Sequence, residues 1–238
     1  MMTLETTKEN LATTKYTCEF CKKTFARERT LVSHLCEKKQ RWLNKDHPGN
    51  RIGFQSWVQF YSKHSMSRTK NKTYEEFINS PYYIAFAKFG SYCVDTKVLN
   101  ISFYVEWLLK EQFKIDSWTS DTVYNRYLCH YLRHEDPFDA IYRGVEHCSE
   151  LAEANSIQPN DVFRYVNANR VCQYIINGKI SPWMLFQSDS GIRFLETLNP
   201  DQVTMILDYI NPEQWKLKFN REPDVTRKIR DTLKDAGY

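Results

Sequence analysis

The sequence predicts a mainly α protein, with a small N-terminal ββα-like unit followed by a compact multi-helix domain. Three observations carry this. Apolar residues recur at helical spacing through most of the 238-residue chain, and aromatic side chains make up 15% of it, which supplies the bulk a packed core needs. Glycines number only seven and prolines eight, which speaks against a disordered chain. The third is Lys15 to Trp42, KYTCEFCKKTFARERTLVSHLCEKKQRW, the one stretch whose residue types and spacing imply chemistry on their own.

Residues 1–14 are polar, contain no apolar signal core and read as a flexible tail. Residues 15–47 form the ββα-like unit. Cys18 and Cys21 stand at the spacing at which one tight turn offers two thiolates to a tetrahedral ion. Twelve residues separate Cys21 from His34, and Phe25 and Leu31 supply the apolar pair expected behind the metal. On these residues the segment resembles the two-Cys two-His zinc finger. That resemblance implies one structural zinc ion, closed by four protein ligands and with no open position for water.

Past His34 the pattern departs from that finger, because Lys38, Lys39 and Gln40 occupy the positions where a fourth ligand belongs. Cys36 is the nearer candidate. Residues i and i+2 of a helix point about 200° apart, so His34 and Cys36 can share an ion only if the helix unwinds just after His34. His47 is the alternative, but it closes a longer loop and orders more chain.

Charge is divided along the chain. Residues 15–72 hold 14 Lys or Arg against 4 acids, whereas 73–238 hold 18 against 23. A basic segment that coincides with a finger points to a polyanion, DNA ahead of RNA. With His34 as the seventh helical residue, the positions that touch bases in DNA-reading fingers fall on Arg27, Thr30 and Ser33, with Arg29 beside them. Lys22, Lys23, Lys38, Lys39, Arg41 and Lys45 suit phosphates, and contacts of that kind are salt-sensitive and weakly selective.

Residues 48–72 read as a basic linker and a first helix. His47 to Asn50 is expected as a turn, Phe54 to His64 as an amphipathic helix, and Ser65 to Lys72 as a basic loop. Residues 73–238 read as one helical domain. Thr73 and Glu76 form a capping box for an aromatic helix that bends or restarts at Pro81. Asn100 to Phe113, Ser120 to Arg133, Asp139 to Asn155 and Asn160 to Ile176 carry helical patterning. Asn199-Pro200-Asp201-Gln202 and Asn211-Pro212-Glu213-Gln214 are helix starts, and Asp224 to Gly237 a last helix with a glycine cap.

Outside the finger the densest polar constellation is Cys129, His130, His134, Glu135, Asp136, Glu146, His147 and Cys148. His130 and His134 share a helix face but lack the order of a metalloprotease motif, so helix-end histidines and buried thiols account for the group. Ser190 before Gly191 lacks the frame of a nucleophile elbow. No run of roughly 18 apolar residues exists to cross a membrane, and the scattered thiols suit a reducing cytoplasm.

The chain as a whole, in particular PYYIAFAKFGSYCV from Pro81 and SPWMLFQSDSGIRFLETLN from Ser181, resembles a group of zinc-finger-bearing proteins of T-even-type tailed bacteriophages. The resemblance implies action in the cytoplasm of an infected host cell and brings no activity with it. The expectation is a non-enzymatic accessory protein of phage replication, transcription or genome handling. Its basic part grips nucleic acid, its helical domain meets a protein, and it takes no small-molecule substrate. The rivals are a zinc-finger adaptor docking on host or phage machinery, which does not require the charge division, and a nuclease, for which only Cys129 to Cys148 offers residues.

Overall fold

The structure, a computed structural model, describes residues 15–64 and 72–238. The expected tail and residues 65–71 of the basic loop lie outside the described residues. The fold is mainly α. Strands β1 (Tyr16–Thr17) and β2 (Thr24–Phe25) pair antiparallel with Tyr16 opposite Phe25, which makes the start ββα-like as expected. Among the described residues no helix is long and apolar enough to cross a membrane. The chain divides into two compact units, Met1–Thr119 and Ser120–Tyr238, so the helical stretch expected as one domain is shared between them.

The first unit continues with α1 (Glu28–Ser33), α2 (Glu37–Leu43), α3 (Pro48–His64), α4 (Tyr74–Ile78), α5 (Tyr83–Thr96) and α6 (Ile101–Lys110). The turn expected at His47 to Asn50 is instead the opening of α3, because Pro48 at the first helical position loses nothing by lacking an N–H there. The capping box forms: Glu76 N donates to Thr73 Oγ1 over 3.2 Å and Thr73 N to Glu76 Oε2 over 2.8 Å. Pro81 separates α4 from α5, so the aromatic helix restarts there.

Phe77, Phe86, Phe89 and Trp118 are fully buried. The ring of Trp118 meets Phe86 at 5.7 Å and Phe89 at 5.3 Å, the edge-to-face geometry that aromatic quadrupoles favour. Helices α3 and α5 touch backbone to backbone. A Cβ on Gly90 would stand 1.8 Å from the Gly49 carbonyl oxygen and 2.6 Å from the Gly53 nitrogen. Gly49 and Gly53, four residues apart and on one helix face, therefore clear the path for α5.

The second unit comprises α7 (Asp121–His134), α8 (Pro137–Asn155), α9 (Val162–Tyr165), α10 (Ala168–Ile176), α11 (Pro182–Gln187), α12 (Asp189–Glu196), α13 (Pro200–Ile210), α14 (Pro212–Arg221) and α15 (Pro223–Asp235). The helix expected over Asn160 to Ile176 is broken before Asn167. The side chain of Asn167 accepts from Asn169 N at 3.0 Å and from Arg170 N at 3.4 Å, which starts α10 afresh. Asn199 and Asn211 cap α13 and α14 as their repeated sequence predicts. Trp183, Trp215 and Phe219 form an aromatic cluster with ring centroids 5.0 to 6.0 Å apart.

The polar constellation of this unit is built into its packing. The buried Glu135 carboxylate receives both Arg143 terminal nitrogens, at 2.6 and 2.9 Å, while Arg143 Nε donates to the Gly178 carbonyl over 2.8 Å. His130 and His134 stack with centroids 4.1 Å apart. His147 lies edge-on to Tyr174, with Nδ1 3.2 Å from Glu150 Oε2. Burial holds its imidazole below the ordinary 6.5 and outweighs the upward pull of Glu150, with Lys179 and Arg170 pushing the same way as burial. The unfolded chain protonates first on acidification, so this contribution to stability is full above about pH 6.5 and declines as pH falls through the folded value. Denaturation of His147→Asn at neutral and mildly acidic pH should show a shallower acid loss than the parent. Parallel losses in the two proteins would remove His147 as the cause.

Candidate metal centre

The site begins in the turn after β1. Lys22 N donates to Cys18 O and Cys18 N to Lys23 O, both over 2.9 Å, and Lys22 takes the left-handed conformation with φ 61°. This knuckle brings the Cys18 and Cys21 sulfurs to one side. Helix α1 starts at Glu28, the register set from His34, and stops at Ser33. His34 (φ −72°, ψ 118°) and Cys36 (φ −79°, ψ 161°) are extended. In extended chain, residues i and i+2 face the same way, so the unwinding that a His-x-Cys pair requires is present.

The ligand atoms of Cys18, Cys21, His34 and Cys36 all lie within 4.8 Å of one another. Cys18 Sγ is 3.9 Å from Cys36 Sγ, and Cys21 Sγ 3.2 Å from His34 Nε2. A tetrahedral ion with metal–sulfur bonds of about 2.3 Å sets sulfurs about 3.8 Å apart, so the first pair already has the spacing of shared ligands. The cluster can hold a metal ion. His47, the other residue considered for the fourth position, is exposed at the threshold of α3 and outside this group.

Local electrostatics divide the two knuckle thiols. The Lys23 amide pulls Cys21 down, but burial and the neighbouring Cys18 and Cys36 sulfurs together hold it above the ordinary range, whereas Cys18 is lowered. The backbone amide of Cys21, aimed at the Cys18 sulfur, holds that thiol below the ordinary range, helped by the Phe20 amide and the neighbouring sulfurs against the opposing effect of burial. Cys36 Sγ accepts the Lys39 amide over 3.4 Å as the N-cap of α2. Burial pushes the core thiols Cys93 and Cys148 up to about 12.

The centre has almost no apolar support. Among residues 15–48 only Cys18 is buried, and Phe25 and Leu31, expected behind the metal, are half-buried. Phe25 instead packs on the His34 imidazole, with centroids 4.7 Å apart. A metal ion held by the four donors would supply folding energy that so small an apolar core does not.

Of the ten residues read as nucleic-acid contacts, Lys22, Lys23, Arg27, Arg29, Thr30, Ser33 and Lys45 are exposed and Lys38 is half-exposed. Lys39 Nζ donates to the His34 carbonyl over 3.2 Å and closes the end of α1. Arg41 is taken up by the fold. It pairs with Glu37, donates to the Ile78 carbonyl over 2.7 Å, and lies over the Tyr83 ring at 4.3 Å. Tyr74 Oη returns a hydrogen bond to the Arg41 carbonyl over 3.2 Å, and Trp42 meets Tyr74 and Phe20 at ring distances of 6.0 and 6.1 Å. Sequence reading missed this seam between α2 and α4. Its one legible sign was aromatic residues interleaved with basic ones.

Comparison with protein-family models, with curated proteins and with solved structures finds no match.

Proposed function

We propose that this chain is a non-enzymatic, zinc-stabilised nucleic-acid-binding accessory protein. The observation that carries the reading is the pairing of a closed Cys₃His cluster with exposed Lys22, Lys23, Arg27, Arg29 and Lys45 around it. Soft sulfur donors with one imidazole select zinc among the common divalent ions. Four protein donors leave no position for water, so the ion orders the segment and the cations around it do the binding. Lys23, Arg29 and their neighbours contact phosphates, DNA ahead of RNA, and the partner is held through charge. The same reading assigns this work to phage replication, transcription or genome handling, and the resemblance to phage finger proteins supports an infected cell as its setting.

Binding of the zinc-loaded full-length protein to DNA and RNA across a salt series tests the reading. A steep salt dependence is expected, and reversing Lys23 and Arg29 to glutamate should flatten the slope of log K against log salt by about 2, about one per phosphate lost. A slope unchanged in that variant removes the reading.

A protein-docking role is the second reading, favoured by the exposure of Val32 (71%), Leu35 (58%) and Leu43 (62%) around the cluster. Three aliphatic side chains open to water on so short a segment suit an apolar partner. Absence of any binding to either nucleic acid at low salt, with zinc retained, would select it.

A further inference from the structure

A cavity of about 500 Å³ lies in the first unit between the cysteine knuckle, α2 and α4. Phe20 and Trp42 supply aromatic surface, Lys22 and Lys38 cations, and Glu75 and Asn79 polar groups. Its volume falls within the roughly 300–1,000 Å³ of small-ligand pockets. Cys21, a cluster ligand, forms part of the same wall, so an ordered cluster and an ordered cavity go together.

We propose that this cavity receives one unstacked nucleobase of a single-stranded polynucleotide, an inference that rests on the nucleic-acid reading above. The chemistry of the wall divides as a nucleotide does. Trp42 and Phe20, rings 6.1 Å apart, line the cavity and supply aromatic surface for stacking, which every base accepts because every base has a π-face. Lys45 Nζ lies 5.1 Å over the Trp42 ring and adds a further cation. Lys22 and Lys38 provide charge for the flanking phosphates. Glu75 joins no ion pair among the described residues, and its carboxylate accepts from amino or imino hydrogens on a base edge. Asn79 Nδ2 is held by the Glu75 carbonyl over 2.8 Å, which leaves Oδ1 as a second acceptor. A fully apolar pocket would lack the phosphate contacts, and a simple basic patch would lack the rings. A duplex keeps its bases stacked and must break pairing to fill the site, so single strands are preferred.

The test compares the zinc-loaded protein on a short single-stranded oligodeoxyadenylate, the same strand carrying abasic sites, and the corresponding duplex. The intact strand should bind roughly tenfold more tightly than the abasic strand, the scale of one stacked base, with the same salt slope for both. Trp42→Leu should bring the two strands together. Since Trp42 also packs on Tyr74, Phe20→Leu in the knuckle is the second variant, with the same result expected. Equal affinity of the parent for intact and abasic strands, or an undiminished preference in both variants, overturns the base site while the phosphate grip stands. Failure to bind any of the three probes overturns the grip and the base site together.

Discussion

Cys36→Ser should purify with its zinc lost, and residues 15–36 should lose hydrogen-exchange protection while the helical signal of the remaining chain persists. On the zinc-stabilised reading the effect is large, because among residues 15–36 only Cys18 is buried and the ion supplies the rest. Structural zinc contributes about 10–16 kcal/mol of apparent binding energy in finger peptides. The damage should stop near Glu37, since Arg41 and Trp42 anchor α2 on α4 independently of the metal. Zinc content by atomic emission and exchange by mass spectrometry read the two halves separately. His47→Ala is the control and should keep a full equivalent of zinc. The opposite pattern, zinc kept in Cys36→Ser and lost in His47→Ala, would hand the fourth position to His47.

Gly90→Ala should cost more than about 3 kcal/mol, beyond the usual overpacking range. The added methyl meets the backbone of α3 at 1.8 Å, and no rotamer can relieve a clash with backbone atoms. Helices α3 and α5 would have to separate, taking the packing around Phe86 and Trp118 with them. Gly144→Ala provides the contrast, for the atoms nearest its Cβ all belong to Met184, the sulfur first at 2.8 Å, and a flexible thioether can move. That variant should lose about 1 kcal/mol or less. Urea unfolding followed by tryptophan fluorescence measures both. A Gly90→Ala midpoint equal to that of the parent would show that the two helices do not meet at their backbones.

Legibility differed by the range of the interaction. The helix starts at Thr73, Asn199 and Asn211 were readable because a cap links residues two or three apart, and its rules need no knowledge of the rest of the chain. The start of α3 was misread although Pro48 announces it. Pro-Gly-Asn satisfies turn and helix-start rules equally, and the close approach of Gly90 accounts for the glycine. The break before Asn167 was missed for a related reason: apolar periodicity runs through it, and one asparagine cap interrupts the helix without disturbing the pattern.

At the candidate centre the sequence by itself determined Cys18, Cys21 and His34 as members of the cluster, the register of α1 from His34, and the need for the chain to unwind if Cys36 is to join them. These follow from the spacing of a few residues and from helix geometry. Only the tertiary structure decided that Cys36 rather than His47 joins the cluster, that Arg41 serves the fold, that α2 rests on α4, that α3 and α5 meet at glycines, and that Phe20 and Trp42 open onto a cavity with Glu75. Arg41 and Ile78 are 37 residues apart, and no propensity acts over that distance. Such contacts exist because burying rings and aliphatic groups releases water, and packing without voids then selects which distant surfaces can meet.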